Sequence, residues 1–155
     1  MLNIHDVSIS YDGHIVLNHV SLTVDRGEVV CLRGESGCGK TSLLGAVMGF
    51  VDYEGLIEVD GMPVTEAHVD YIRHLTAYVP QELMLPQEQV RDMVTLPFSL
   101  RANRHVKIDD ARLLAEWEQL GLSADLLDRG VQEISGGQRQ RIMLSVAALL
   151  DKPLM

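Results

Sequence analysis

Cysteine is scarce in this sequence, and basic residues are fewer than acidic ones. The two cysteines, Cys31 and Cys38, suggest neither a disulfide framework nor a metal cluster, so we expect a reducing cytoplasmic environment. The 13 Lys and Arg are outnumbered by 22 Asp and Glu, which gives a formal net charge of −9 at pH 7. This balance argues against nucleic acid as the main partner, because phosphate neutralisation requires a basic surface.

Long apolar runs and leader-like segments are also missing. No run approaches the roughly 18 apolar residues that span a bilayer, and the N-terminal MLNIHDVSISYDG has no basic segment followed by an apolar stretch. We therefore expect a chain that neither crosses a membrane nor carries an export signal. Its 155 residues and 46% apolar content suffice for one ordinary core, since a domain of this size buries roughly 70% of its unfolded surface.

Alternation of apolar and polar residues predicts strands in the first part of the chain. Val20, Leu22 and Val24 alternate with polar positions, and a looser alternation precedes them, so the first 24 residues predict two strands joined by the turn YDGH. Further strands are predicted at VVCL (29–32), an apolar run typical of a strand covered on both faces, at GLIEVDG (55–61) and at LTAYV (75–79).

Helical periodicity begins at Lys40, and Gly49 is placed to end that helix. From about residue 86 to residue 150 the sequence shows no convincing strand. Within this region Trp117 and two leucines share a helix face, and Gly121 stands where a left-handed C-terminal residue is wanted. The predicted helices there span 88–100, 109–120 and 138–150.

A glycine-rich loop, RGESGCGKTS, joins the predicted strand VVCL to the first predicted helix. It matches G-x-x-x-x-G-K-[ST] at Gly34, Gly39, Lys40 and Thr41. Glycines let successive backbone N–H groups surround an anion, and the helix N-terminus adds partial positive charge. Lys40 can reach the outer phosphates of a nucleotide, and the Thr41 hydroxyl can bind Mg²⁺. The alternative is a glycine turn with a solvated lysine.

A second glycine-containing helix start lies in EISGGQRQRIMLSVAALL, residues 133–150. Ser135 and Gln138 have the spacing of a capping box, which predicts a helix N-terminus that also suits an anion. SGGQ alone is equally compatible with a plain helix cap followed by basic solvated residues.

Together these stretches resemble the nucleotide-binding domain of ABC transporters. RGESGCGKTS resembles the Walker A loop of that family, and ISGGQRQR resembles its signature motif, with Ile134 in place of the usual leucine. The resemblance implies an α/β fold of the P-loop NTPase class, in its ABC type. It implies one partial ATP-binding domain over residues 1–155, with a β-rich nucleotide-contacting part at 1–85 and an α-helical subdomain at 86–150.

The resemblance also implies which residues bind ATP. Lys40, Gln81 and Ser135 would be the catalytic groups, and Thr41 and Gln81 would bind Mg²⁺. Tyr11 would stack on adenine, with a tyrosine at a hairpin turn as the alternative, and Gln81 would otherwise be a loop glutamine that caps a strand end. The remaining ATP contacts would come from Gly34, Glu35, Ser36, Gly37, Cys38, Gly39, Ser42, Gly136, Gly137 and Gln138.

Two partners follow from the same resemblance. Each Walker A loop would face the signature helix of a second copy in a head-to-tail dimer, and the pair would dock on a separate integral membrane permease. This expectation places the chain in the cytoplasm, peripheral to the inner face of the cell membrane, where MgATP hydrolysis would drive transport. The six histidines have no metal-site spacing and are expected as surface or packing residues.

The family places its Walker B strand, with a Mg²⁺-binding aspartate and a glutamate that polarises water, after the segment that here reads LLDKPLM. Because the chain stops at Met155, we expect missing C-terminal strands, open edges at VVCL and poor hydrolysis. The alternatives are a binding-only or regulatory nucleotide module, and a non-transport ABC protein of DNA repair or translation. The latter usually has coiled-coil insertions or tandem cassettes, and neither occurs in these residues.

Overall fold

The computed structural model describes residues 1–81 and 88–155. These residues divide into two compact units, one of residues 1–75 with Leu154 and one of residues 76–153 with Met155. Each unit has its own cluster of buried apolar side chains. The predicted boundary between residues 85 and 86 lies outside the described residues and stays a prediction.

The first unit contains a four-stranded antiparallel sheet with the strand order β2-β1-β3-β4. Its strands are β1 (Leu2–Tyr11), β2 (His14–Val24), β3 (Glu54–Val59) and β4 (Met62–Pro63). Asp12 and Gly13 have φ of 49° and 79°, as the tight turn between β1 and β2 requires. Asp60 and Gly61 form a similar turn between β3 and β4. The two predicted strands at the start and the strand near 55–61 are confirmed.

Two helices belong to the first unit, α1 (Lys40–Val47) and α2 (Val69–Leu75). The core between sheet and helices is formed by buried side chains from β1, β3, α1 and α2, among them Ile4, Ile57, Ala46 and Ile72. Helix α1 is confirmed where the sequence predicted it, and Gly49, with φ of 66°, follows its end.

The predicted strand at residues 29–32 is wrong. Val29 is 98% exposed, and Val30 and Cys31 are exposed as well. A strand exists only through backbone hydrogen bonds to a neighbour, and no strand in the described part of the chain pairs with this run. Apolar composition alone therefore predicted burial that Val29, Val30 and Cys31 do not have, whereas Leu32 packs partly buried against the core.

The predicted strand at residues 75–79 is also wrong. Leu75 is the last residue of α2, and residues 76–79 belong to no named strand. Val69, Ile72 and Leu75 recur at helical spacing, and Ile72 is fully buried against the sheet core. Sequence reasoning missed this helix because a short apolar run allows both structures.

The regular elements of the second unit are helices and 3₁₀ turns joined by loops, and an isolated bridge pairs Gln89 with Gly130. The three predicted helices are confirmed as α3 (Val90–Ser99), α4 (Asp110–Gln119) and α5 (Gly136–Leu149). Short 3₁₀ turns lie at Arg101–Asn103, Ala124–Asp128 and Val131–Glu133. No helix in residues 1–81 and 88–155 has the length and apolar character needed to cross a membrane.

Helix α4 is joined to α5 through a buried hydrogen-bond chain. Trp117 of α4 is fully buried, and its indole Nε1 donates to Ser145 Oγ of α5 at 3.0 Å. Ser145 Oγ in turn donates to the Ile142 carbonyl at 2.6 Å. Both polar groups are therefore satisfied inside an apolar core, where an unpaired group costs about 1–3 kcal/mol. Gly121, with φ of 61°, follows α4 as predicted.

Candidate functional site

The glycine loop at residues 34–42 has the backbone shape that an anion site needs. Gly37 and Gly39 have φ of 83° and 90°, a region that side chains other than glycine rarely adopt. A Cβ on Gly39 would lie 2.8 Å from the side chain of Leu17 and 2.9 Å from Val16, both on β2. The sheet therefore packs directly against the point where the loop enters α1, and only glycine fits there.

The Lys40 side chain folds back across this loop. Its ammonium Nζ donates to the Gly34 carbonyl at 2.9 Å and to the Glu35 carbonyl at 2.8 Å. It also lies 3.4 Å from Cys38 Sγ. These contacts hold the Lys40 ammonium against the start of the loop at Gly34, which lies six positions before Lys40 in the sequence. A flexible lysine held only by neutral carbonyls can exchange them for a phosphate oxygen, which is a stronger acceptor.

The N-terminus of α1 has no side-chain cap. Gly39 occupies the N-cap position, and no acidic residue stands in the first turn. The first backbone hydrogen bond of this helix runs from Leu43 N to Gly39 O. The amides of residues 40–42 therefore remain available as donors. An uncapped helix N-terminus without acidic side chains attracts anions, because its free N–H groups carry partial positive charge.

Oxygen donors suited to Mg²⁺ stand beside this helix start. Thr41, the second residue of α1, is exposed, and Ser42 is half-buried. Among residues 1–81 and 88–155, no group of three or more His, Cys, Asp or Glu side chains could hold a metal ion. Mg²⁺ in nucleotide sites keeps several waters and binds phosphates with only one or two protein oxygens, so the Thr41 hydroxyl fits this need.

The start of α5 has the capping box that the sequence predicted. Ser135 Oγ accepts from the Gln138 backbone N–H at 3.2 Å, and Gln138 Oε1 accepts from the Ser135 N–H at 2.8 Å. Gly136 and Gly137 are exposed, and nothing lies within 4 Å of a Cβ built on either. As the first two residues of α5 they have backbone N–H groups without intrahelical partners, and the first turn holds no acidic residue.

The other predicted site residues are Tyr11 and Gln81. Tyr11 ends β1 opposite His14 and is 46% exposed, so its ring is accessible. Gln81 is exposed at the end of the described range 1–81, and Glu82 of the AYVPQE stretch lies outside the described residues. The loop at 34–42 belongs to the first unit, whereas Gln81 and Ser135 belong to the second. The structure thus brings together Gly34, Glu35, Cys38 and Lys40.

The fold and the loop together define a P-loop nucleotide-binding protein. Its glycine loop leads into a helix, and a lysine and a hydroxyl residue stand at the start of that helix. The family model described as ABC transporter matches residues 17–155, and the chain belongs to this family.

Relatives and solved structures agree with that family. The chain is 32% identical over 158 residues to an ATP-dependent lipid A-core flippase of Desulfotalea psychrophila, a match that covers 99% of this chain and 28% of that protein. It is 31% identical over 162 residues to the putrescine transport ATP-binding protein of Escherichia coli strain K12, with 99% of this chain and 42% of that protein covered. The chain therefore spans less than half the length of these relatives.

A solved ATP-binding subunit of an ABC transporter has the same fold. Its match has a TM-score of 0.76 at 26% sequence identity, and it covers 99% of this chain and 63% of that chain. The architecture of both units therefore occurs in a known ABC subunit.

Proposed function

We propose that the chain binds MgATP on the loop at residues 34–42 and acts as the nucleotide-binding part of a transport ATPase. The observation that supports this most directly is the convergence at one loop of three features. These are the left-handed glycines Gly37 and Gly39, the uncapped N-terminus of α1 and the Lys40 ammonium. Each favours negative charge, and together they match the needs of a polyphosphate.

Lys40 is proposed to leave the Gly34 and Glu35 carbonyls and to bind the outer phosphates of ATP. A bound Mg²⁺ would neutralise phosphate charge during transfer to water, with Thr41 and Gln81 as its protein ligands. Gln81 is also proposed to orient the attacking water. The surrounding loop residues, Glu35, Ser36, Gly37 and Cys38 among them, would supply backbone N–H donors, and the Cys38 amide would leave the Glu35 carbonyl to do so.

Tyr11 is the proposed platform for adenine. Its ring is 46% exposed at the end of β1. Stacking of a base on an aromatic ring contributes about 1–3 kcal/mol, and an accessible tyrosine provides that surface without a specific hydrogen bond.

The second helix start is proposed to bind the γ-phosphate of ATP held by another copy of the chain. Gly136 and Gly137 offer free amides, and the capping box fixes Ser135 and Gln138 at their flank. Because the loop at 34–42 and the start of α5 are both donor sites for an anion, two copies packed head to tail would enclose each ATP between them. In this proposal Ser135 is catalytic together with Lys40 and Gln81.

The names of the relatives suggest what the whole protein does. One is a flippase and the other a putrescine transport ATP-binding protein. We propose that this chain likewise belongs to a transport system, docks on a membrane permease at the inner face of the cell membrane, and passes on the movements of its nucleotide dimer.

A binding-only module is the second candidate. Among residues 1–81 and 88–155, no carboxylate hydrogen-bonds to the side chain of Lys40 or Thr41, and this candidate supposes that the loop has no general base. General-base catalysis contributes roughly 10²–10⁴-fold in rate, and a chain without a base would hold ATP with little turnover.

Titration of the isotope-labelled chain with MgATP and, separately, with adenosine tests the proposal. MgATP is expected to shift the backbone amide signals of residues 34–42, whereas adenosine should leave them in place because it has no phosphate. Unshifted loop signals at saturating MgATP would contradict the binding site. Phosphate release measured on the same sample distinguishes an ATPase from a binding-only module.

A further inference from the structure

The signature stretch ISGGQRQR ends in two arginines, Arg139 and Arg141, whose task the sequence leaves open. They stand one helical turn beyond the glycines of α5, where a cation could bind phosphate directly or remain in solvent. The structure shows a third arrangement, because both guanidinium groups are committed to backbone carbonyls. Arg139 Nη2 donates to the Val131 carbonyl at 2.9 Å. Arg141 Nη1 donates to the Leu120 carbonyl at 2.9 Å.

The Leu120 carbonyl is a favourable partner for the Arg141 cation. Leu120 is the C-cap of α4, and the last carbonyls of a helix lack intrahelical partners and carry partial negative charge. A Cβ on Gly121 would lie 3.7 Å from Arg141 Nη1, so the chain after α4 passes close to the guanidinium without blocking it. The Arg141 side chain, which belongs to α5, therefore caps the C-terminus of α4.

Arg141 also contacts the first turn of its own helix. Its Nε lies 3.4 Å from the Gly137 carbonyl. Gly136 and Gly137 have no side chains, and nothing surrounds the positions where their Cβ atoms would be. Besides the capping box of Ser135 and Gln138, the Arg139 side chain anchors this turn to Val131, and the Arg141 guanidinium ties it to the end of α4.

We infer that Arg141 is a positioning residue, which fixes the first turn of α5 against the C-terminus of α4 so that Gly136 and Gly137 present their amides in one orientation. This inference rests on the proposed function, in which those amides receive the γ-phosphate of ATP on a second copy. In this role Arg141 needs no contact with the phosphate, because it acts through its hydrogen bonds to the Leu120 and Gly137 carbonyls. The planar fork of arginine suits two carbonyls at once, whereas a lysine ammonium can replace only part of it.

Three variants test the role of Arg141 in the full chain. Arg141→Met removes the donors and keeps an apolar stem, and Arg141→Lys keeps one charged donor. Arg112→Met is the matched control, because Arg112 is an exposed arginine of α4 whose side chain makes no hydrogen bond within the described residues. Arg141 is itself exposed, so its replacement leaves no buried cavity.

The first measurement is hydrogen exchange at the amides of Gln138 and Arg139, which bond to Ser135 Oγ and the Ser135 carbonyl. Loss of a hydrogen bond to a charged group corresponds to about a tenfold change in an opening equilibrium, so exchange in Arg141→Met should rise about tenfold. Arg141→Lys should recover part of the protection, and Arg112→Met should match the wild type. Wild-type exchange in Arg141→Met would overturn the inference.

The second measurement separates positioning from general destabilisation and from phosphate binding. MgATP affinity at the loop of residues 34–42 should be unchanged in Arg141→Met, while MgATP-dependent pairing in sedimentation should require about ten times more nucleotide. Wild-type pairing in Arg141→Met would overturn the inference, and full rescue by Arg141→Lys would instead indicate a direct phosphate contact. If the wild type itself does not pair, the proposed dimer fails, and the exchange measurement still decides the role of Arg141.

Discussion

The ammonium Nζ of Lys40 lies 2.9 Å from the carbonyl oxygen of Gly34, so the first and last parts of the glycine loop are joined by one side chain. This contact closes the loop at the place where we propose that phosphate binds. The contact also shields one side of the Lys40 ammonium from bulk solvent. The ammonium can exchange the carbonyl for another acceptor. The loop is therefore organised before any nucleotide binds, which lowers the entropy cost of binding.

Replacement of Lys40 by Ala should remove most of the affinity for MgATP. Hydrogen bonds to charged groups contribute about 1.5–3 kcal/mol, so affinity measured by calorimetry should fall at least roughly tenfold. The fold should persist, since the side chain contacts only loop atoms. Lys107→Ala is the control, because Lys107 is exposed and makes no hydrogen bond within the described residues. Unchanged affinity in Lys40→Ala would contradict the site.

Replacement of Gly39 by Ala should destabilise the first unit. A left-handed φ of 90° is strained for alanine, and the new Cβ would lie 2.8 Å from Leu17. We expect a loss of about 2–4 kcal/mol in the free energy of unfolding, measured by denaturant titration. Gly37→Ala separates the two causes, because φ is 83° there but nothing lies within 4 Å of the Cβ. It should lose roughly 1–2 kcal/mol, and equal losses would show that packing against Leu17 is unimportant.

Replacement of Ser135 by Arg should block MgATP-dependent pairing of the full-length protein and leave monomer binding intact. The larger side chain would occupy the open space beside Gly136 and Gly137, where the proposed phosphate approaches. Ser135→Ala is the control, because it loses the cap, worth about 1 kcal/mol, without adding bulk. Sedimentation should show dimers for Ser135→Ala at high MgATP and none for Ser135→Arg. Normal dimers of Ser135→Arg would count against the head-to-tail arrangement.

Asp125 should make stability depend on pH in the acidic range. Hydrogen bonds from Ser123 and then from Arg129 hold the pKa of the Asp125 carboxyl below its ordinary value of 3.8. A lowered pKa in the folded state means that the carboxylate stabilises the protein above pH 3.8, and that this stabilisation is lost as the pH falls below that value. The free energy of unfolding of Asp125→Asn should therefore fall below that of the wild type at pH 7, and the two should converge in acid. A constant difference across this range would contradict the assignment.

The sequence was sufficient where the local pattern and the tertiary environment favour the same structure. The turn at Asp12 and Gly13, the helix from Lys40 and the capping box of Ser135 depend on a few neighbouring residues and their backbone angles. Prediction failed at residues 29–32 and 75–79, where an apolar run is compatible with strand, helix or exposed loop. Those outcomes depend on which other segments are near, and a single run of side chains does not contain that information.

The partners of the basic side chains could not be predicted at all. Nothing in the string QRQR indicates that Arg139 bonds to the Val131 carbonyl and Arg141 to the Leu120 carbonyl. A basic pair beside a glycine-flanked helix start looks like a phosphate site or a solvated face. These contacts arise because packing of α4 against α5 brings a helix C-terminus beside the second arginine.

The sequence by itself determined the local features on which the proposed chemistry rests, namely the glycine spacing, Lys40, Thr41 and the SGGQ cap. Tertiary structure alone decided which apolar segments became strands, how β2 closes on Gly39, and which carbonyls receive Arg139 and Arg141. The physical reason is that backbone angles and caps depend on residues a few positions apart. Strand pairing and side-chain capping between helices depend on segments that meet only after the chain has folded.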